Sequence, residues 1–131
     1  MNDARTPISE LKDLVRGFSK ERDWEQFHHP KDLGVALASE VGELLDHFRY
    51  KTNDQIRLEL GRHEVLTQVS QELADCLWVL LRLADVCHVD LASSLLEKVR
   101  LAALKYPVDQ SFGRADKYTA YQPVERDQPD P

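Results

Sequence analysis

Glycine and proline are scarce in this sequence, at five and six residues among 131, and they are scattered rather than clustered. No stretch alternates apolar with polar positions. Without turn clusters and a period of two, an all-β sandwich or barrel has no basis. Only two cysteines occur, Cys76 and Cys87. On one helix they would stand ~16 Å apart, beyond disulfide reach, which leaves only a bridge between subunits. Reduced thiols in the cytoplasm are the expectation. No apolar run approaches the ~18 residues of a membrane span. Met1 to Arg5 are not followed by the apolar segment of a signal peptide, so a soluble cytoplasmic protein is expected. Basic residues are also in deficit: 17 Lys and Arg against 23 Asp and Glu leave a formal charge of −6. Phosphate backbones are gripped by basic patches, so a nucleic-acid polymer is not an expected partner. A phosphorylated small molecule whose charge is met by a metal remains compatible.

What is present is helical periodicity. Hydrophobic residues make up 42% and charged ones 31% of the chain, an ordinary globular balance that fits one domain. A first helix is expected from an N-cap at Thr6 with Pro7 behind it, running to about Lys20 with Ile8, Leu11, Leu14, Val15 and Phe18 on one face. A loop with Trp24, Phe27, His28 and His29 follows. The second helix starts near Pro30 and carries Leu33, Leu37, Val41, Leu44 and Phe48 at helical spacing. A polar connection, in part helical, spans about Thr52 to Arg62. The third helix, about Glu64 to Cys87, places Val65, Val69, Leu73, Cys76, Leu80 and Leu83 on a stripe. Its centre from Leu77 to Leu83 is apolar on nearly every side, with Arg82 the one polar residue. Such a helix must be covered on nearly every side. A homo-oligomer with this helix at its interface is therefore expected, against the alternative of a monomer with a thick core. Asp90 is the expected cap of a fourth helix through Leu91, Leu95 and Val99 to about Lys105, which Pro107 ends. The reading is an all-α, four-helix bundle over residues 1–119, with a flexible polar tail at 120–131.

Acidic residues three apart share a helix face. Pairs occur at 10/13, 40/43, 43/46, 72/75 and 127/130, and for any one of them a solvated face is the ordinary explanation. Position separates two pairs. Glu40 and Glu43 straddle Val41 beside the apolar stripe of the second helix, with Gly42 between them reducing bulk. Glu72 and Asp75 flank Leu73 and abut Cys76. If the second and third helices pack antiparallel, the four carboxylates converge. Desolvating each ion costs several kcal/mol, so protons or cations must neutralise them. All-oxygen ligation selects a hard cation, Mg²⁺ or Mn²⁺. Magnesium keeps several waters and shares itself with substrate phosphates, which suits phosphoryl chemistry. A di-iron bundle would need two Glu-x-x-His motifs, and the single one, Glu25 with His28, lies in a loop.

Glu40-Val41-Gly42-Glu43-Leu44 followed by Glu72-Leu73-Ala74-Asp75 resembles the paired acidic motifs of the all-α, MazG-like nucleotide pyrophosphohydrolases. The stretch from Glu21 to His28, with Lys105-Tyr106-Pro107 and Asp116-Lys117-Tyr118-Thr119, is similar to the dCTP pyrophosphatase branch. The likeness covers about Leu11 to Thr119. It implies a bundle completed by oligomerisation as a homodimer or homotetramer. It also implies a nucleoside triphosphate substrate cleaved to monophosphate and pyrophosphate, with Mg²⁺ (or Mn²⁺) held by Glu40, Glu43, Glu72 and Asp75 and water attacking the α-phosphorus. By the same likeness Trp24, His28 and Tyr50 belong to the nucleobase pocket and Lys98 meets the triphosphate. This chain departs from the pattern at Ala102, where the family often has asparagine, and at Val79, where a tyrosine is seen. Both changes remove polar groups from the nucleotide site and bear on base and sugar preference. They keep open an alternative, a non-catalytic nucleotide-binding or interaction module.

Overall fold

In the computed structural model, which describes residues 1–121, the periodic segments are helices and no strand occurs among the described residues. The all-α expectation holds. Most of the tail expected over 120–131 lies outside the described residues. The chain divides into two compact units, residues 1–91 and 92 onward.

The first unit contains α1 (Ile8–Glu21), a 3₁₀ turn (Trp24–Phe27), α2 (Pro30–Asp46), α3 (Asn53–Leu60) and α4 (His63–Val86). The start of α1 differs from expectation. Pro7 is its N-cap with extended backbone, while the Thr6 hydroxyl accepts the Asn2 N–H at 3.0 Å instead of capping the helix. Pro30 opens α2, where its missing N–H is no loss. The polar connection contains α3, set by a full capping box. The Thr52 hydroxyl accepts from the Gln55 N–H, and the Gln55 side chain accepts from the Thr52 N–H at 2.7 Å.

Helix α4 is the central element, with α1, α2 and α3 all packed on it and α2 most extensively. Leu33 of α2 and Val69, Leu81 and Ala84 of α4 are buried. Phe18 of α1 packs edge-on against Trp78 of α4 at 4.8 Å and against Trp24 at 5.8 Å, and so ties the first turn after α1 to the core. The α2–α4 pairing is antiparallel: Glu40 and Glu43 approach Glu72, whereas Leu33 and Ala36, earlier in α2, share a cavity with Val79 and Arg82, later in α4.

The inward stripe of α4 matches the one read in the sequence at Val65, Val69, Cys76 and Leu83 and departs from it at two positions. Leu73 and Leu80, expected inside, are 53% and 39% exposed, as is Leu77 at 44%. A helix apolar all round does not reveal by pattern which face is covered within its own chain. The second unit holds α5 (Leu91–Lys105), the short α6 (Val108–Ser111) and a 3₁₀ turn (Tyr118–Ala120). Tyr106 stands edge-on to Tyr118 and Tyr121 at 5.8 and 6.0 Å. No helix of the described residues is long and apolar enough to cross a membrane.

Leu81 is 3% exposed. Truncation by Leu81→Ala should cost ~3 kcal/mol through lost burial plus a cavity, read by urea denaturation. A loss under ~1 kcal/mol would contradict this core.

Candidate functional site

The α2–α4 pairing brings the two acidic pairs together. Carboxylate oxygens of Glu40, Glu43 and Glu72 lie within 4.8 Å of one another, a grouping able to hold a divalent metal ion. Asp75 is one turn along α4 from Glu72 and shares a cavity wall with Glu40. Glu40, Glu72 and Asp75 are half-buried and Glu43 is exposed. Among the described residues no lysine or arginine pairs with any of the four. Burial, then the charges of Glu43, Asp75 and Glu72, push the Glu40 carboxyl above its ordinary range. The neighbouring Cys76 thiol is pushed up too, by burial and then by Glu40, Glu72 and Asp75. The local field is negative. A Cβ at Gly42 would meet nothing within 4 Å, so no element of this chain exploits the bulk missing there.

Beside the carboxylates lies a cavity of about 380 Å³. That volume is in the range of small-molecule sites. Its walls combine Trp24, Phe27 and Trp78 with Leu33, Ala36 and Val79, while Glu40, Asp75, His28, Asp32 and Arg82 supply polar groups. Trp24 is held by the local build of its turn. Asp23 adopts a left-handed φ of 55°, and the Gln26 amide donates to the Asp23 carbonyl at 3.0 Å and carboxylate at 2.8 Å. Trp24 and Phe27 remain 43% and 63% exposed, leaving aromatic surface for a flat ligand.

Behind the cavity runs a polar network on a buried cation. Arg82 is 5% exposed and uses its whole fork. Its Nε donates to His28 Nδ1 at 3.0 Å, one terminal nitrogen to Asp85 at 2.7 Å, and the other reaches Glu25 at 3.4 Å. Asp85 also receives Arg16 of α1, through Nε at 2.9 Å and a second short bond. The Arg16 hydrogen bond, aided by the charges of Arg16 and Arg82, holds the Asp85 carboxyl below the usual range despite its burial. Burial and the adjacent Arg82 charge lower His28.

Of the residues singled out from the sequence, Glu40, Glu43 and Glu72 form one acidic group, and Asp75, Trp24 and His28 join Glu40 around the cavity. Tyr50 does not line it: this residue is 96% exposed after α2, with φ 63° and Arg49 5.5 Å from its ring. Lys98 is exposed on α5, in the second unit. Sequence reasoning passed over Phe27, Asp32, Trp78 and the Arg82–Asp85 pair. A signal for Arg82 was present. A lone cation in an apolar helix must find a partner, and Asp85 stands three residues on.

No protein-family model matches this chain. Over 112 residues it is 38% identical to dCTP pyrophosphatase 1 of Rattus norvegicus and 36% identical to that of Homo sapiens. These alignments take in 86% of this chain and 66% of the relatives' length. A solved pyrophosphatase from Archaeoglobus fulgidus superposes with a TM-score of 0.72 at 32% identity, covering 82% of this chain and 98% of that one.

Asp85→Asn leaves Arg82 short of its closest anion and should cost about 2 kcal/mol at neutral pH by chemical denaturation. A carboxyl with a depressed pKa stabilises above its unfolded pKa, and that stability is lost as pH falls through the folded one. The gap between wild type and variant should therefore persist at neutral pH and close only in acid, below the ordinary aspartate range. A gap unchanged in strong acid would contradict the assignment.

Proposed function

This chain belongs to the all-α, MazG-like nucleotide pyrophosphohydrolases, and from that premise we propose that it hydrolyses a nucleoside triphosphate, dCTP or a close relative, to the monophosphate and pyrophosphate. The observation that carries the reading is the uncompensated acidic cluster beside an aromatic cavity of nucleoside size. Three carboxylates within 4.8 Å, without a basic partner among the described residues, offer the all-oxygen donor set that hard cations take. Mg²⁺ is the proposed ion, with Mn²⁺ as substitute, held by Glu40, Glu43, Glu72 and Asp75. When bound, it would supply Lewis acidity and neutralise charge on the phosphoryl oxygens.

The chain's own residues do the rest. Glu40 and Asp75 border both cluster and cavity, so a nucleoside in the cavity has its phosphates directed to the carboxylates. Trp24 offers a ring face to the base, and His28 a polar contact. Val79 makes the wall apolar where the family has a tyrosine, a choice that favours contact over a hydrogen bond. A carboxylate whose pKa is raised, as at Glu40, is suited to accept the proton of an attacking water. Attack at the α-phosphorus releases pyrophosphate. Tyr50 and Lys98 are assigned to base and triphosphate by family likeness alone. The alternative, nucleotide binding without turnover, draws its support from Val79 and Ala102.

Leu66, Leu73, Leu77 and Leu80 lie along one side of α4 and are each 39% or more exposed. We assign this stripe to a second copy of the chain, giving a homodimer or homotetramer, because water contact along it is costly. Free thiols at Cys76 and Cys87 fit the cytoplasm.

In assays with Mg²⁺ and a panel of triphosphates, pyrophosphate should be released and dCTP or a relative preferred. Glu43→Gln and Asp75→Asn should each reduce turnover at least ~100-fold with helicity retained. Orthophosphate as the sole product would refute attack at the α-phosphorus, and binding without turnover would favour the alternative. Leu73→Glu with Leu77→Glu should convert the assembly to monomer in sedimentation, whereas an unchanged sedimentation coefficient would remove the stripe from the interface.

A further inference from the structure

We propose that Arg82 is a positioning residue that holds His28 as the neutral tautomer protonated on Nε2, so that the cavity wall presents a hydrogen-bond donor to an acceptor atom of the bound base. The proposal rests on the nucleotide reading above and deepens it. Arginine carries donors and no acceptor. Its Nε–H directed at His28 Nδ1 over 3.0 Å therefore requires a lone pair on that nitrogen. Double protonation of the ring would set N–H against N–H. The one proton left to the imidazole sits on Nε2.

Arg82 is not free to act otherwise. With 5% exposure it is fixed on three sides, by His28, by Asp85 at 2.7 Å and by Glu25 at 3.4 Å. Asp85 is itself anchored by Arg16 of α1. A guanidinium with a partner on each of its three nitrogens, two of them carboxylates, is already neutralised, which argues against the more obvious role of phosphate ligand for a cation in a nucleotide cavity. The constraint passes to His28 instead. Its backbone N–H donates to the Glu25 carbonyl at 3.2 Å, its ring lines the cavity, and its Nε2 has no hydrogen-bond partner among the described residues. The lowered basicity of His28 agrees with a ring kept neutral.

The consequence is selection by hydrogen-bond polarity. Ring nitrogens with lone pairs and carbonyl oxygens accept a bond from Nε2–H, whereas an exocyclic amine set there would oppose donor to donor. Sites built on such hydrogen bonds discriminate more sharply than apolar walls do. Beside the apolar walls of Trp24, Trp78 and Val79, this donor can read the pattern of a base edge.

The test is ¹⁵N NMR of the full chain labelled at histidine, without nucleotide, at neutral pH. His28 should show a protonated Nε2 and an unprotonated Nδ1. In Arg82→Met the same ring should become a mixture of tautomers, and the KM for Mg²⁺-dCTP should rise roughly tenfold with a much smaller change in kcat. A wild-type ring protonated on Nδ1, or on both nitrogens, overturns the proposal whether or not the variant folds. So does a folded Arg82→Met with unchanged tautomer or unchanged KM. The spectra need no turnover, so failure of the hydrolase reading and failure of this one are told apart.

Discussion

Repulsion among carboxylates is the constraint on which the rest of this molecule turns. Two helices that would otherwise pack through apolar side chains instead bring Glu40, Glu43 and Glu72 within 4.8 Å, with Asp75 beside them. Nothing basic among the described residues relieves this, and burial together with the neighbouring carboxylate charges raises Glu40 and Cys76. Like charges gathered at a half-buried point lower stability unless a cation is there to be bound. An arrangement that costs stability in the bare chain is a mark of function. The surrounding packing of α4 against α1, α2 and α3 offsets it.

That packing also organises the second half of the site. The Phe18, Trp78 and Trp24 rings link α1, α4 and the turn between α1 and α2, and so place the aromatic wall of the cavity. The buried Arg82 joins the same three regions through Asp85, Glu25 and His28, with Arg16 closing the circuit from α1. Breaking a buried ion pair from one side is expensive because the remaining charge is stranded. A network of this kind holds a ligand-facing ring in a single orientation, which an apolar core alone does not do for a histidine. Acidic cluster and cavity thus share one scaffold, and Glu40 and Asp75 are where they meet.

Much of this was legible in the residues themselves. The period of 3.6, the prolines at helix starts and the spacing of Glu40, Glu43, Glu72 and Asp75 were enough for the helices and for the meeting of the acids. The capping box at Thr52 and Gln55 was equally readable, though the segment looked like a connection. What the pattern did not carry was which apolar positions of α4 are covered. Because that helix is apolar on nearly every side, Leu73 and Leu80 looked as inward as Val69, yet they face out within this chain. The exposed leucines are the surface that the proposed second subunit would cover. Thr6 as a cap failed for a local reason, since its hydroxyl is taken by the Asn2 N–H. Arg82 was visible as an oddity, but its partners lie 54 and 57 positions away at His28 and Glu25, a pairing that no local pattern encodes.

The central claim is that the α2–α4 acids capture a hard divalent cation. Anomalous diffraction from crystals grown with Mn²⁺ tests it directly. A manganese peak is expected among Glu40, Glu43, Glu72 and Asp75, in contact with oxygen from both helices. Well-ordered carboxylates with no peak between them, or manganese bound only elsewhere on the surface, would contradict it.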